Sequence, residues 1–315
     1  MGASNFTNSV DNVFLFILAI SVALLIGITV TMLYFIFRYH HKRNPRATDV
    51  PGNVTLEVIW TVVPLFIVMG FFYYGYIDYK EMRNFPEDAF NVKVTGRMWS
   101  WMYTYPNGFQ TDTLYLPVGK PVTLHLESLD VIHSFYVPAF RLKQDAVPGI
   151  DTKMWFKIQK PGSYQVLCAE YCGDRHAYML SKVVGLPQEK FDAWYARVSK
   201  EVEAEKASEQ KAGGQTSGPS PAKGAKLVKL KGCVACHSLD GSRLVGPSFK
   251  GIFGKTETVL VNGQEQEIVA DEDYIRQSIK EPAAAIVKGY PPAMPPQDVT
   301  DEEIEHIIAY FKTLK

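Results

Sequence analysis

The sequence predicts a multidomain protein with a two-helix transmembrane hairpin, an all-β sandwich and a small all-α domain at the C-terminus. Three observations lead to this prediction. The long uncharged runs fall within the first 80 residues, strand-like segments separated by Pro and Gly follow them, and the final residues show helical periodicity. A length of 315 residues allows at least two domains.

Two uncharged runs predict membrane-spanning helices. The first covers residues 13–37, and the second covers residues 58–77 and contains Pro64, which a membrane helix tolerates when its neighbours replace the lost hydrogen bond. At about 1.5 Å per residue, each run can cross a hydrocarbon core of roughly 30 Å. A cleaved signal peptide is the alternative for the first run, but no Lys or Arg precedes it and a second span follows. We therefore expect residues 1–85 to form a transmembrane hairpin.

Basic residues between the two runs predict the orientation of the hairpin. This loop contains Arg38, Lys42, Arg43 and Arg46, whereas residues 1–12 contain no Lys or Arg. The positive-inside rule then places the loop in the cytoplasm and both termini outside. Because 33 basic residues are balanced by 33 acidic ones, the chain lacks the positive charge that a general nucleic-acid binder needs.

The segment from residue 90 to residue 186 has the pattern of short strands. Asn91–Thr95, Pro121–Glu127, Met154–Ile158 and Ser163–Leu167 are rich in β-branched and aromatic residues, and Pro and Gly separate them. This spacing predicts an antiparallel β-sandwich or barrel, which we assign to residues 86–198.

A dense group of potential metal ligands lies near the end of this domain, in the run Cys168-Ala-Glu-Tyr-Cys172-Gly-Asp-Arg-His176-Ala-Tyr-Met179. Thiols, an imidazole and a thioether form a soft ligand set that favours copper over magnesium or calcium. Zinc also binds Cys and His, although a structural zinc site does not require a methionine.

This run resembles the copper loop of subunit II of the haem–copper cytochrome c oxidases. Two further segments support the resemblance, which covers residues 1–195: Asp130-Val-Ile-His-Ser-Phe-Tyr-Val-Pro138 and Leu142-Lys-Gln-Asp-Ala-Val-Pro-Gly149. The resemblance implies a cupredoxin-like sandwich that holds the binuclear copper centre CuA. The implied ligands are His133, Cys168, Glu170 through its backbone carbonyl, Cys172, His176 and Met179.

The resemblance also implies roles for three other side chains. The Glu170 carboxylate would reach a magnesium or manganese ion at the border with subunit I, although a loop carboxylate in water is the alternative. Trp99 would be the surface residue through which electrons enter CuA, whereas alternating aromatic residues on a strand are usually core packing. Glu57 would mark the mouth of a proton pathway, and a helix-end acid reaching for water is the alternative.

A linker separates this domain from the C-terminal one. Residues 199–224 contain no Leu, Ile, Phe, Tyr or Trp. The first part can prolong a helix predicted for residues 188–202, whereas residues 213–224 cannot form a core and are expected to be flexible.

The C-terminal segment, residues 225–315, carries the attachment motif for haem c. In Cys233-Val-Ala-Cys236-His237, the two thiols would bind the haem covalently and His237 would bind its iron. A redox C-x-x-C pair is the alternative. The Pro-rich segment around Met294 looks like the methionine loop of a class I cytochrome c, so Met294 is the expected second axial ligand. Residues 301–314 predict a closing helix.

Together, these resemblances imply an oxidoreductase subunit: the electron-input subunit of a proton-pumping respiratory cytochrome c oxidase. Electrons would pass through haem c and CuA to the haem–copper subunit I, which reduces oxygen. The implied partners are subunits I and III and an upstream cytochrome c or quinol–cytochrome c reductase, in a supercomplex or separately. The implied location is a bacterial-type plasma membrane, with the soluble domains outside. Three alternatives remain: a nitric oxide reductase subunit bearing CuA, a quinol oxidase subunit and a membrane-anchored copper-binding protein.

Overall fold

The computed structural model describes residues 2–46, 48–211 and 218–315. It contains a helical hairpin, a two-sheet sandwich and a C-terminal helical domain. The elements are α1 (Thr7–Arg38), α2 (Val54–Met82), β1 (Phe90–Arg97), β2 (Ser100–Thr104), β3 (Gln110–Thr111), β4 (Thr113–Pro117), β5 (Pro121–Ser128), β6 (His133–Val137), β7 (Leu142–Ala146), β8 (Thr152–Lys157), β9 (Gly162–Cys168), β10 (Ser181–Leu186), α3 (Gln188–Lys211), α4 (Pro221–Leu230), β11 (Thr256–Val261), β12 (Gln264–Val269), α5 (Glu272–Lys280), β13 (Ile286–Val287) and α6 (Asp301–Phe311).

The two N-terminal helices are long and apolar enough to span a membrane. Both extend beyond the uncharged runs, to 32 residues in α1 and 29 in α2, because polar residues continue each helix at its ends. Their apolar side chains are mostly exposed, as expected for a surface that faces lipid or another subunit. The helices contact each other through an edge-to-face pair, Phe16 and Phe71, with ring centroids 5.6 Å apart. Pro64 lies inside α2, which continues through it.

The start of α1 is fixed to the sandwich. Phe6 is buried and packs edge-to-face on Trp155, with ring centroids 4.9 Å apart. Ser4 Oγ donates a hydrogen bond to the Phe140 carbonyl, and Arg141 Nε lies 2.7 Å from Asp11 Oδ1. These contacts set the position of the sandwich relative to the N-terminal end of α1.

The sandwich has two five-stranded sheets, in the orders β3-β2-β1-β5-β8 and β4-β10-β9-β6-β7. Residues of the predicted strand segments fall in β1, β5, β8 and β9. The expected antiparallel pairing holds for most neighbouring strands of the sandwich, but β1 pairs with β5 and β4 pairs with β10 in parallel. Long crossovers between the sheets bring these strands together, and a local strand pattern does not reveal such crossovers.

The linker is shorter than the sequence predicts. Helix α3 continues to Lys211, and α4 already begins at Pro221, so residues 221–224 belong to the C-terminal domain rather than to a flexible tether. Ser220 caps α4 by accepting a hydrogen bond from the Lys223 amide, and Pro221 suits the first helical position. Of the predicted flexible segment, residues 213–217 lie outside the described residues.

The C-terminal domain packs α4, α5 and α6 around a small core that includes Val228, Ile275, Ile304 and Phe311. A capping box formed by Thr300 and Glu303 starts the predicted closing helix. The helical domain is confirmed, and it also contains a three-stranded sheet in the order β12-β11-β13 that the sequence analysis did not anticipate. The alternating residues of 256–269 carry the signal for this hairpin.

Candidate metal centre and haem cavity

Pairing between β6 and β9 brings the first two expected copper ligands together. Phe135 in β6 pairs with Cys168 at the end of β9, so the start of β6 lies beside that cysteine. His133 is fully buried, and its Nδ1 lies 3.9 Å from Cys168 Sγ. A residue 35 positions upstream therefore reaches the cysteine loop through the sheet rather than through local sequence.

The loop after β9 adds the remaining expected ligands. Cys172 Sγ lies 3.8 Å from Cys168 Sγ, 3.5 Å from His176 Nδ1 and 3.9 Å from Met179 Sδ. Cys168 Sγ is also 3.2 Å from the backbone oxygen of Glu170. All six predicted donor groups are thus brought to one place. Both cysteines are buried free thiols.

The two thiols differ in acidity in the metal-free protein. The hydrogen bond from Cys172 lowers the pKa of Cys168 to about 3, with a further contribution from His133. The same hydrogen bond raises the pKa of Cys172, which keeps the remaining proton. Binding a metal through both sulfurs therefore requires the release of that proton.

A carboxylate orients the buried imidazole. His133 Nε2 lies 2.8 Å from Asp130 Oδ1, and the carboxylate can only accept, so Nε2 carries the proton and Nδ1 is free to face the cysteines. Asp130 belongs to the motif around His133, and the sequence alone assigns it no role. Its position three residues before a candidate histidine ligand is the available sequence signal.

These residues fit a copper centre. Two sulfurs 3.8 Å apart that are not joined as a disulfide provide two thiolates that can be shared between metals. The other donors, two imidazoles, a thioether and a carbonyl, extend the set beyond the four ligands of a structural zinc site. The donor set therefore favours copper over zinc.

A second candidate site is a cavity of about 490 Å³, lined mainly by the C-terminal domain and on one side by copper-domain residues that include Asp130. Cys233, Cys236, His237 and Met294 all line it, together with mostly apolar residues. Burial raises the pKa of Cys236 to about 11, so this thiol is protonated at neutral pH. Two thiols and two iron ligands around one apolar cavity fit a covalently attached haem.

The expected histidine ligand of the haem is also oriented by its surroundings. His237 Nδ1 donates a hydrogen bond of 2.7 Å to the Pro247 carbonyl, which leaves Nε2 free, and the ring stacks on Phe249 at 4.4 Å. Burial lowers the pKa of His237, which favours the neutral imidazole that can bind iron. Gly246 lies directly against this ring, so a Cβ there would be 2.7 Å from His237 Nδ1.

Trp99 and Glu170, the other predicted residues near the copper site, differ in their exposure. Trp99 is not a surface residue, since only 6% of it is exposed, and its Nε1 donates a 2.9 Å hydrogen bond to the Cys172 carbonyl. Its ring also lies against Gly173 of the copper loop, so the predicted exposure is wrong. Ala235 and Val245 of the C-terminal domain pack against the same core. The Glu170 side chain is exposed.

Glu57 belongs to neither candidate site. It is exposed and lies in the first turn of α2, where Asn53 accepts a hydrogen bond from the Leu56 amide. An acid at this helix end interacts favourably with the helix dipole. The two interpretations of Glu57, a helix-end acid and a proton-path residue, both agree with this position.

Comparisons with known proteins give the same domain organisation. Residues 1–74 match the family profile of the cytochrome c oxidase subunit II transmembrane domain, residues 109–185 match that of its periplasmic domain, and residues 221–315 match cytochrome c. Cytochrome c oxidase subunit 2 of Alkalihalophilus pseudofirmus is 32% identical, over 95% of this chain and 86% of the relative. The subunit of Cereibacter sphaeroides is 33% identical, over 57% of this chain and 72% of the relative.

A solved structure is also similar to part of the chain. It is the periplasmic domain of subunit II of the cytochrome oxidase of Bradyrhizobium japonicum, which is 31% identical, with a TM-score of 0.36, over 38% of this chain and 99% of that domain. The relative from Alkalihalophilus pseudofirmus covers the hairpin, the sandwich and the C-terminal domain together. The chain therefore belongs to the cytochrome c oxidase subunit II family, as a member with a fused C-terminal cytochrome c domain.

Proposed function

We propose that this chain is the electron-input subunit of a proton-pumping respiratory oxidase, with CuA at the cysteine loop and haem c in the C-terminal cavity. As a member of its family, the chain is a membrane-anchored subunit of an oxidoreductase complex that includes subunit I. When bound, the copper centre and the haem would supply one-electron carriers between an upstream donor and subunit I. The oxygen-reducing site would belong to subunit I.

One observation carries this proposal: the two candidate ligand sets lie next to each other. Ala235 and Cys236 of the haem segment pack against the core of the copper domain. Asp130 of the copper domain lines the haem cavity and also binds the expected copper ligand His133. Asp130 is thus the single residue between the haem cavity and a candidate copper ligand, which suits electron transfer between the haem and the copper centre.

The chain's own residues would keep the copper site rigid. His133 lies in the sandwich, and Cys168 ends a strand of the same sheet. Trp99 is fixed to the copper loop by its hydrogen bond to Cys172, which supports its proposed role as the residue through which electrons enter. Ligands held on a rigid scaffold move little when the charge changes, so little energy is spent on rearrangement.

The remaining parts of the proposal concern the membrane and the partner subunits. We place the loop between α1 and α2 in the cytoplasm of a bacterial-type plasma membrane and both soluble domains outside, following the positive-inside rule. Glu57 would then lie on the cytoplasmic side, as a proton-path residue requires. The exposed Glu170 carboxylate would reach a magnesium or manganese ion at subunit I. Subunit III and an upstream cytochrome c or quinol–cytochrome c reductase complete the proposed partners.

The alternatives fit the observations less well. A copper-binding protein without electron transfer gives no reason for a haem cavity against the copper domain. A quinol oxidase subunit does not need the copper ligands, which are all retained. A nitric oxide reductase differs from the proposed enzyme in its catalytic partner. The reaction that the purified complex catalyses distinguishes the two.

The first experiment is purification of the chain with its native membrane partners, followed by a metal count and optical and EPR spectra. We expect two coppers with a mixed-valence signal and one covalent haem c per chain, together with oxygen reduction. Zinc or no copper at the cysteine loop would contradict the copper assignment. Reduction of nitric oxide without reduction of oxygen would favour the reductase alternative.

A further inference from the structure

The two soluble domains meet at a defined contact next to both candidate cofactor sites. On the copper domain, the contact is made by Arg97 at the end of β1 and Ser100 at the start of β2, which pair across the sheet. On the haem domain, it is made by Leu230 at the end of α4 and by Gly232, directly before the first haem-binding cysteine. This arrangement connects the haem-attachment segment directly to the strand pair that flanks Trp99.

Arg97 makes the polar connection across this contact. Its side chain is only 8% exposed, and Nη2 donates a hydrogen bond to the Leu230 carbonyl. This carbonyl is among the last of α4, which have no partner inside the helix and carry the negative end of its dipole. A guanidinium at this position therefore stabilises the end of the helix that leads into the haem motif.

The charges around Arg97 come from both domains. Burial lowers its pKa, while the carboxylates of Asp130 in the copper domain and of Asp298 and Glu303 in the haem domain oppose that effect. A cation that is removed from water needs such carboxylates close by, and those of the haem domain are close only while the two domains remain together. The position of the cation is thus coupled to the docking of the domains.

Close packing beside Arg97 makes the contact specific. A Cβ added to Gly232 would overlap Ser100 Oγ and would lie 3.3 Å from Arg97 Nε. Gly232 is buried in the complete chain. The backbone of the haem domain therefore approaches the copper domain as closely as only a glycine allows.

The same contact also contains unpaired polar atoms. Among the described residues, Arg97 Nε and Ser100 Oγ have no hydrogen-bond partner. Each buried unpaired group is costly, so this contact is weaker than its close packing suggests. A docked state that is specific but weak can be released and formed again, as a tethered domain that also meets an external donor requires.

We propose that Arg97 is a positioning residue that holds the haem domain on the copper domain, with the haem-attachment segment against the core that contains Trp99. The inference rests on the proposed function. Trp99 is only 6% exposed in this docked arrangement, so a separate cytochrome does not have free access to this residue. The docked haem domain is then the donor at this surface.

The test uses the purified oxidase complex with Arg97→Gln, and with Arg197→Gln in the exposed part of α3 as the matched control. A hydrogen bond to a charged group corresponds to about tenfold or more in an equilibrium constant. In Arg97→Gln we expect electron transfer from flash-reduced haem c to CuA to slow by about this factor. Direct photoreduction of CuA is expected to be unchanged. Arg97→Lys keeps the charge and a donor, and its rate of electron transfer from haem c to CuA should lie between those of the unmodified complex and Arg97→Gln.

Hydrogen–deuterium exchange of the same complexes supplies a measurement that does not depend on turnover. Loss of the contact between Arg97 and the Leu230 carbonyl should increase exchange at the amides of residues 230–237 and 97–101. A second variant, Gly232→Ala, should increase the same exchange because its Cβ meets the other domain. Gly254→Ala is its control: both glycines have positive φ, 73° and 79°, but the space around Gly254 is open. The covalent haem content of each variant checks that Gly232→Ala still attaches its haem.

The outcomes distinguish failure of the positioning role of Arg97 from failure of the proposed function. Unchanged exchange and an unchanged transfer rate in Arg97→Gln would contradict the positioning role of Arg97, even if haem c reduces CuA rapidly. Absence of transfer from haem c to CuA in the unmodified complex would contradict the proposed function instead. In that case, the exchange of Arg97→Gln and Gly232→Ala still decides whether these residues hold the domains together.

Discussion

Asp130 Oδ1 and His133 Nε2 lie 2.8 Å apart, and this hydrogen bond fixes the face of the imidazole that is turned toward the cysteines. The carboxylate is itself held in place, since it accepts hydrogen bonds from the amides of Met98 at 2.6 Å and Val131 at 2.7 Å. Although burial opposes it, the hydrogen bond to Asp130 raises the pKa of His133. The candidate copper ligand is therefore oriented by a fully bonded carboxylate.

Asp130→Asn is expected to weaken copper binding by about 10- to 100-fold, the range for residues that orient a metal ligand. An amide has only one acceptor oxygen, so either the Met98 amide or the His133 ring loses its acceptor and faces an NH₂ group. Competition with a copper chelator measures the change. We expect the variant to remain folded, because the substitution preserves the shape of the side chain.

Asp151→Asn is the matched control for this prediction. Asp151 also bonds a histidine, since its Oδ2 lies 3.2 Å from His125 Nδ1, but this pair is exposed and is not among the candidate copper ligands. Its copper affinity should equal that of the unmodified chain. Equal copper affinities in the Asp130 variant and the control would contradict the orienting role of Asp130.

The ligand residues of the copper centre could be predicted from the sequence, but their surroundings could not. Five of the six lie in one short loop, so local spacing reveals them, and the family resemblance adds His133. The burial of Trp99, in contrast, involves residues far away in the sequence: its Nε1 binds the Cys172 carbonyl, 73 residues further along the chain. No local pattern contains that information, so the prediction of a surface tryptophan was wrong.

Gly246→Ala is expected to displace the candidate haem ligand. A Cβ at residue 246 would overlap the ring of His237, which is held between the Pro247 carbonyl and Phe249 and has little room to move. We expect a smaller fraction of six-coordinate, low-spin haem in the optical spectrum, with the covalent haem content unchanged. Gly218→Ala, in open space, is the control. A normal low-spin spectrum in Gly246→Ala would show that His237 does not need this glycine.

Met294→Leu tests the second axial ligand. Leucine has nearly the volume of methionine but no sulfur, and methionine ligation raises the haem potential, so the potential should fall. Turnover with the natural donor should be impaired, whereas direct photoreduction of CuA should be unaffected. Met69→Leu, at an exposed position of α2, is the control. Unchanged turnover in Met294→Leu would exclude an obligatory path through the haem domain.

The haem domain shows a similar limit of sequence reasoning. The attachment motif and the closing helix follow from spacing and periodicity, and α6 begins at Asp301 as predicted. Arg97, in contrast, has no distinguishing feature in the sequence, because a single cation at a strand end is usually solvated. Its contact with Leu230 becomes visible only when the two domains are placed together.

Gly224→Ala is expected to destabilise the haem domain, because α4 and α6 cross at this glycine. A Cβ there would overlap the backbone oxygen of His306 and would lie 2.8 Å from Tyr310 Cβ, so the two helices must separate. Overpacking of this kind costs about 1–3 kcal/mol, and the obstructing atoms belong to the backbone, which places the cost at the upper end. The better helix propensity of alanine returns only about 1 kcal/mol, so the net effect is destabilising. Thermal unfolding followed by the haem absorbance should show a midpoint lower by roughly 4–8 °C per kcal/mol lost. Gly218→Ala serves again as the control, and an equal midpoint in both variants would contradict close packing of α4 against α6.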